Sequence, residues 1–302
     1  MIGQKKVGKK IKKGKDDILI ESLSILLITL FAIVCLFPFI YVFFISFMSY
    51  EEYLAYPLRI IPRNFDLTAY RKILEFELFR SGYVVTLIIT VAGTALSVFL
   101  LTISAYPLAR KDLKGRKVFM TMILFTMFFN GGMIPNYLLI RTLGIHDTLW
   151  ALILPGSLSA FYLILMKNFI KMSVPEALEE AAKVDGANDL RILVSVVLPL
   201  LKPAIATMII FNAVNYWNNY FNAKLYISSR NRWPLMLVLQ ELVAQDTTSV
   251  SPVTQMLTSE ARASPFTLQM VAVVITLLPI LMVYPFMQRY FVKGISLGSV
   301  KE

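Results

Sequence analysis

Four asparagines, Asn212, Asn215, Asn219 and Asn222, recur at spacings of 3, 4 and 3 in an otherwise apolar stretch. At about 100° per residue they fall within an arc of roughly 80°, one narrow face of a single helix. An amide in hydrocarbon needs a partner, so this face is expected to turn toward other helices or a wet cavity and away from lipid. Asparagine offers two donors and an acceptor without charge, which suits sugar hydroxyls. Tyr216, Trp217 and Tyr220 beside the stripe carry ring faces on which a pyranose can stack. The competing reading is interhelical amide glue, worth about 0.6 kcal/mol per bond in a membrane, and the sequence leaves both open. Other chemistry is poorly supplied. His146 is the one histidine and has no cysteine near it, so neither a metal site nor a histidine-based triad is expected. The acidic pairs Glu51-Glu52 and Glu179-Glu180 are adjacent in sequence and read as solvated or partner-facing charges. No nucleophile elbow, HExxH or kinase set occurs. The chain is expected to catalyse nothing and to bind no metal or cofactor itself.

The most polar stretch of the second half is Ser173–Pro199, SVPEALEEAAKVDGANDLRILVSVVLP. Ser173 with Glu176 three residues on is a capping box, and Pro175 is tolerated in a first turn, so a helix is expected from Val174. Gly186 supplies the left-handed residue that ends it, and Asn188 can cap a second helix that runs apolar to Leu198 before Pro199 and Pro203 interrupt it. Glu180-Ala181-Ala182, Asp185-Gly186-Ala187 and Leu198-Pro199 match in type and spacing the EAA loop of binding-protein-dependent ABC importer permeases. The chain resembles that family over this loop; the family pattern has Ile two residues before the Leu-Pro, where this chain has Val196. The resemblance implies a transport subunit whose short helix docks into a cytoplasmic ATPase. It names Glu176, Glu179, Glu180, Ala181, Ala182, Asp185, Gly186, Ala187, Leu198 and Pro199 as coupling residues. It also implies four partners, namely a second homologous permease, two ATPase subunits that carry ATP and Mg, and an extracellular solute-binding protein.

The elements that position these residues are membrane spans. With 302 residues, 57% hydrophobic and 16% charged, the chain departs from soluble domains, where about 25% of residues are charged. An all-α polytopic membrane protein is expected. The net charge of +11 sits beside apolar runs, which points to anionic lipid and away from nucleic acid. The one cysteine, Cys35, permits no internal disulfide. Six uncharged runs are long enough to cross about 30 Å of hydrocarbon, at Ser22–Tyr50, Ser81–Ala109, Val118–Ile140, Thr148–Met166, Pro203–Ala223 and Ala263–Gln288. With the N-terminus inside, 20 of the 30 basic residues fall in cytoplasmic segments and 10 outside, which obeys the positive-inside rule. Both termini and the Ser173–Pro199 loop are then cytoplasmic, in a multi-pass protein of the cell membrane. The seven lysines before the first run make a basic arm, and that run is too long for a signal-peptide core. The expected organisation is an arm at 1–21, a first span with external segment at 22–80, a five-helix core at 81–289 holding the loop 173–199, and a tail at 290–302. In the resembling family the first span is peripheral and the next five form the core.

Three further features complete the reading. Thr86, Thr90, Thr94 and Ser97, with Gly93 alongside, form a small-residue line expected to serve helix packing. Asn130-Gly131-Gly132-Met133-Ile134-Pro135-Asn136 interrupts the third run, where Gly-Gly with Pro can unwind a helix. This segment resembles permeases for oligosaccharides from complex polysaccharides, alginate-type transporters among them, and with it Asn130 joins the candidate path. The long external segment Lys224–Arg262, with its Ser/Thr-rich part Thr247–Ser259, has a length expected of either a functional or a disordered loop. In the smaller permease of maltose-type transporters, which the chain resembles in loop order, the corresponding loop contacts the binding protein. Together these features predict half of an ATP-driven pathway for a carbohydrate, with an oligosaccharide from a polysaccharide as the expected cargo. The alternatives are a membrane enzyme acting on lipid-linked sugars, which lacks an acidic or metal-ligand cluster here, and an ion-coupled transporter, which lacks ionisable groups in the six runs.

Overall fold

The computed structural model describes residues 15–57, 59–243 and 265–299. All regular structure among them is helical. The chain divides into two units between Asp66 and Leu67.

The first unit is built on α1 (Lys15–Ile45), an apolar helix exposed from Leu19 to Ile40 and buried at Ile45. An exposed stretch of this length that is apolar all round suits lipid or a partner. Ser49 caps the short α2 (Tyr50–Ala55) by accepting from the Glu52 N–H, and Glu52 in turn accepts from the Arg63 N–H and from Arg59.

The second unit begins with α3 (Thr68–Glu75), the short surface helix that the amphipathic pattern of this segment favours. It therefore belongs with the core, on the far side of the boundary expected at residue 80. The axis of this unit is α4 (Glu77–Ala109), 33 residues long. Next come α5 (Arg116–Phe128) and α6 (Met133–Thr142), which meet at 111°. Their break lies at the Gly-Gly pair, where Gly132 holds a φ of +92° that side-chain-bearing residues rarely adopt.

The fourth expected span is not one helix. It is the single turn α7 (Trp150–Ile153), an irregular stretch with hydrogen-bonded turns over 154–157, and α8 (Ala160–Ser173), with Gly156 in the gap. Among the described residues three helices are long and apolar enough to cross a membrane alone, and up to five crossings result if each sharply bent pair counts as one. The six-run expectation therefore depends on α7 and α8 crossing together.

After α8 come α9 (Glu176–Val184), α10 (Asp189–Leu200) and α11 (Lys202–Trp217). Residues Leu193–Val197 of α10 are wound as a π-helix, with the Leu198 N–H reaching Leu193 O. Pro199 explains this, since it has no N–H for the Ser195 carbonyl and its ring crowds that group in an α-turn. Pro203 then opens α11, which leaves α10 at 81°. The chain ends with α12 (Phe221–Tyr226), α13 (Leu235–Val243) and α14 (Pro265–Ser299), the last running through the boundary expected at residue 290.

Among the described residues four apolar clusters hold the second unit, and two of them contain most of the buried side chains. One joins α4, α8, α10 and α11 through Leu101, Ala105, Met166, Ile170, Ile192 and Met208. The other joins α3, α4, α13 and α14 through Ile73, Phe79, Leu235, Leu268 and Val271. The small-residue line of α4 serves these packings. Thr86 accepts from the Leu235 N–H at 2.7 Å, and Gly93 leaves room for the Tyr216 ring, which an added Cβ would meet at 2.6 Å. In the described part of the segment expected to be a long loop, α13 forms because Leu235, Leu237, Val238 and Leu242 bury one of its faces. Thr247–Ser259 lies outside the described residues.

Candidate functional site: coupling loop and amide cavity

The first candidate is α9, its turn and α10. Pro175 sets its start, by disfavouring helical geometry at Val174, which adopts an extended backbone and closes α8. Ser173 is thus the last residue of α8 and caps nothing, and the helix begins at Glu176, two residues later than expected from the capping box. The far end follows the sequence closely. Gly186 has φ +79°, its N–H bonds Lys183 O, and the Ala187 N–H bonds Ala182 O, a Schellman closure. The Asn188 carbonyl oxygen accepts from the Arg191 N–H at 2.8 Å and caps α10.

The two adjacent glutamates differ in exposure, although both border the same cavity. Ala177, Leu178, Glu180, Ala181 and Val184 are all exposed, Val184 at 88% and Leu178 at 45%, and make one outward face. Glu179 points inward with its side chain 14% exposed, accepts from the Tyr106 hydroxyl at 3.3 Å and lies 3.7 Å from Arg110. Arg110, at the end of α4, also pairs with Asp112 at 3.0 Å and with Asp189. Partial burial alone would lower the Arg110 pKa, but the Asp189 hydrogen bond and the Asp112 charge outweigh it and raise the value. Desolvation likewise pushes Asp112 up, and Arg110 and Lys183 bring it below the ordinary carboxylate range. Lys111 to Glu176 at 2.9 Å completes the set around a cavity of about 390 Å³. Leu198 and Pro199 lie at the end of α10, where they shape the π-turn. Ala182 and Ala187 are half-buried against the α4–α8 cluster, while Asp185 is exposed.

The second candidate lies at the other end of α11. The helix stops at Trp217, because Asn218-Asn219 compete with helical hydrogen bonding, and the Tyr220 N–H turns back to Asn218 O. The four asparagines therefore do not share one helix face. Asn212 is 1% exposed and donates to Met208 O in its own helix. Asn215, Asn219 and Asn222 instead line a cavity of about 220 Å³ together with Asn218, Tyr220 and Phe221. Asn218 escaped the sequence reading because it lies off the 3-4-3 rhythm; the doublet Asn218-Asn219 was the available signal of an unwound turn.

The aromatic neighbours divide by role. Trp217 packs in the apolar cluster and meets Tyr83 edge-on at 6.0 Å, with no polar partner for its indole N–H. Tyr216 is a wedge 2% exposed that touches the cavity wall; its hydroxyl donates to Ile153 O at 2.9 Å and pairs with Ser97 at 3.1 Å. Tyr220 keeps a face toward the cavity, with the Lys224 ammonium 5.8 Å from its ring. Asn130 is exposed in the α5–α6 break, where its side chain accepts from the Gly132 N–H, and it does not line this cavity.

Asp147 carries a fastening that the sequence reading missed. Its carboxylate accepts from the Ser228 and Ser229 N–H groups, each at 2.9 Å, and from the Ser229 hydroxyl, and Arg232 also donates to this residue. The Ser229 hydroxyl, then its N–H, hold the Asp147 pKa below the usual range. Asp147 has φ +57°, a conformation that Asp tolerates better than most residues. Among the described residues no three His, Cys, Asp or Glu are grouped as metal ligands.

A transporter membrane domain fits both candidates, and the comparisons define it. Residues 10–297 match the binding-protein-dependent transport system inner membrane component family, and the chain belongs to it. It is 43% identical over 272 residues to the polygalacturonan/rhamnogalacturonan transport system permease protein YtcP of Bacillus subtilis, covering 90% of this chain and 94% of that one. Protein LplC of the same organism is 40% identical over 269 residues, at 89% and 90% coverage. A solved bacterial ABC transporter, involved in the import of the acidic polysaccharide alginate, superposes with a TM-score of 0.86 at 33% identity, covering 93% of this chain and 100% of that one. The chain is thus an ABC importer permease, a transport subunit and not an enzyme.

Proposed function

We propose that the chain forms half of the translocation path for an oligosaccharide released from a polysaccharide, with the amide cavity as part of its lining. The convergence of Asn215, Asn218, Asn219 and Asn222 on one uncharged cavity carries this reading, because amides match sugar hydroxyls and bind weakly enough to release them. The names of the similar permeases, all from carbohydrate systems where a solute is named, support the substrate class. A second homologous permease supplies the other half, two ATPase subunits carry ATP and Mg, and an extracellular binding protein delivers the solute. The outward face of α9, with Glu180, Ala181 and Val184, meets the ATPase. Both termini and the loop at 173–199 are cytoplasmic, six crossings arise with α7 and α8 as the fourth, and the helices of 81–289 form the core.

The experiment is uptake by the reconstituted complex carrying Asn215→Leu or Asn222→Leu. Both side chains are exposed, so assembly is expected to survive while uptake falls and solute-independent ATP hydrolysis persists. Normal uptake in both variants, or loss of the partner permease on purification, contradicts the lining role.

A further inference from the structure

We propose that Arg110 is a positioning residue that clasps both limbs of the coupling loop to the end of α4, so that the loop and α4 move as one piece. The proposal rests on the coupling role given above to the loop. Its carrying observation is that one guanidinium, 13% exposed, bridges three separate places in the chain. It reaches Glu179 on α9 and Asp189 on α10, one on each side of the Gly186 turn, and Asp112 just beyond α4.

A planar guanidinium presents five donors in a rigid fork, and a lysine ammonium cannot span the same three carboxylates. The Tyr106 hydroxyl, one turn back on α4, donates to the same Glu179 and accepts from Arg110 at 3.3 Å, so the clasp is anchored at two levels of the helix. Lys111 to Glu176 and Lys183 to Asp112 at 3.5 Å add exposed pairs along the same seam, each of small worth. The other end of the connection is Tyr216. Its ring fits over Gly93 of α4 and its hydroxyl meets Ser97, three turns from Arg110 on the same helix. One continuous helix, with Pro107 in its last turn, therefore holds the loop through Arg110 and the wall of the amide cavity through Tyr216. Glu179 is taken up by this clasp, which leaves Glu180 as the acidic group of the pair that is free to face a partner chain.

The test compares Arg110→Lys, Glu179→Gln and Glu180→Arg in the reconstituted complex, and reads solute moved per ATP hydrolysed together with the amount of copurified ATPase. The expected result is that Arg110→Lys and Glu179→Gln retain the ATPase but lower solute moved per ATP by roughly 2- to 30-fold. Glu180→Arg instead loses the ATPase or its stimulation. Wild-type ratios in Arg110→Lys and Glu179→Gln with a defective Glu180→Arg overturn the clasp and leave the coupling loop standing. A wild-type Glu180→Arg overturns the coupling reading itself. Loss of copurified ATPase in both Arg110→Lys and Glu179→Gln also overturns the clasp, since the network then serves docking and not transmission.

Discussion

The coupling loop and the amide cavity sit at opposite ends of the α10–α11 run, and they are built from opposite chemistry. The loop is a seam of formal charges, with Arg110 gathering three carboxylates beside an exposed apolar face. The cavity has no ionisable group among its asparagines, and its shape comes from a helix that stops. Charge suits a surface that meets another protein in water, where pairing sets register. Neutral amides suit a wall that a hydrated solute must pass, because a buried charge there would hold its cargo or demand a counterion.

The largest expected effect breaks the loop without touching the cavity. Gly186→Pro imposes a φ near −65° where the chain has +79°, and it removes the N–H that bonds Lys183 O. Uptake should be abolished while membrane insertion, measured by the yield of detergent-extracted protein, is retained. Gly93→Ala strikes the link between the regions instead. Its Cβ would lie 2.6 Å from the Tyr216 ring, and overpacking of this kind costs about 1–3 kcal/mol, to be seen as a lowered thermal midpoint of the purified protein.

Asp147→Ala tests the fastening of Ser228 and Ser229. It strands the Ser228 and Ser229 N–H groups, for a loss of about 1–3 kcal/mol softened by solvent access. The folded pKa of Asp147 is depressed, so this contribution is present above the ordinary carboxylate pKa and fades as pH falls through the lower, folded value. The stability difference between wild type and Asp147→Ala should therefore shrink in acid. The smallest effect is expected from Val214→Leu, at an exposed position of α11 beside the asparagines but outside the cavity lining. Uptake should be unchanged, and a stability shift within about 0.5 kcal/mol is expected.

The same contrast separates what the sequence discloses from what it conceals. In the loop the determinants are local. Gly186 must be left-handed, Asn188 caps its own helix, and Pro199 disturbs its own turn, so the helix-turn-helix can be read from residue types alone. Even there Ser173 misleads, because α8 runs through the expected cap and Pro175 ends that helix only at Val174, the residue before it. In the cavity the determinants are tertiary. A helical wheel presumes that the helix continues, and it groups Asn212 with residues beyond Trp217 that follow a different path. Tyr216 and Trp217 look like stacking platforms until packing shows one wedged on Gly93 and the other among apolar side chains. The pairing of Arg110 with Glu179 and Asp189 joins positions about 70 to 80 residues apart, and no periodicity reports it.

The central claim is that loop and cavity are separate parts of one ATP-driven path, and the direct measurement is solute moved and ATP hydrolysed in the same vesicles. Glu180→Arg and Asn215→Leu should be compared with wild type in the presence of the binding protein. The account predicts that Glu180→Arg loses the stimulation of hydrolysis and the uptake together. It predicts that Asn215→Leu lowers uptake while hydrolysis continues. If the two variants fail in the same way, or if Glu180→Arg transports normally with full stimulation, the division of labour between the two regions is contradicted.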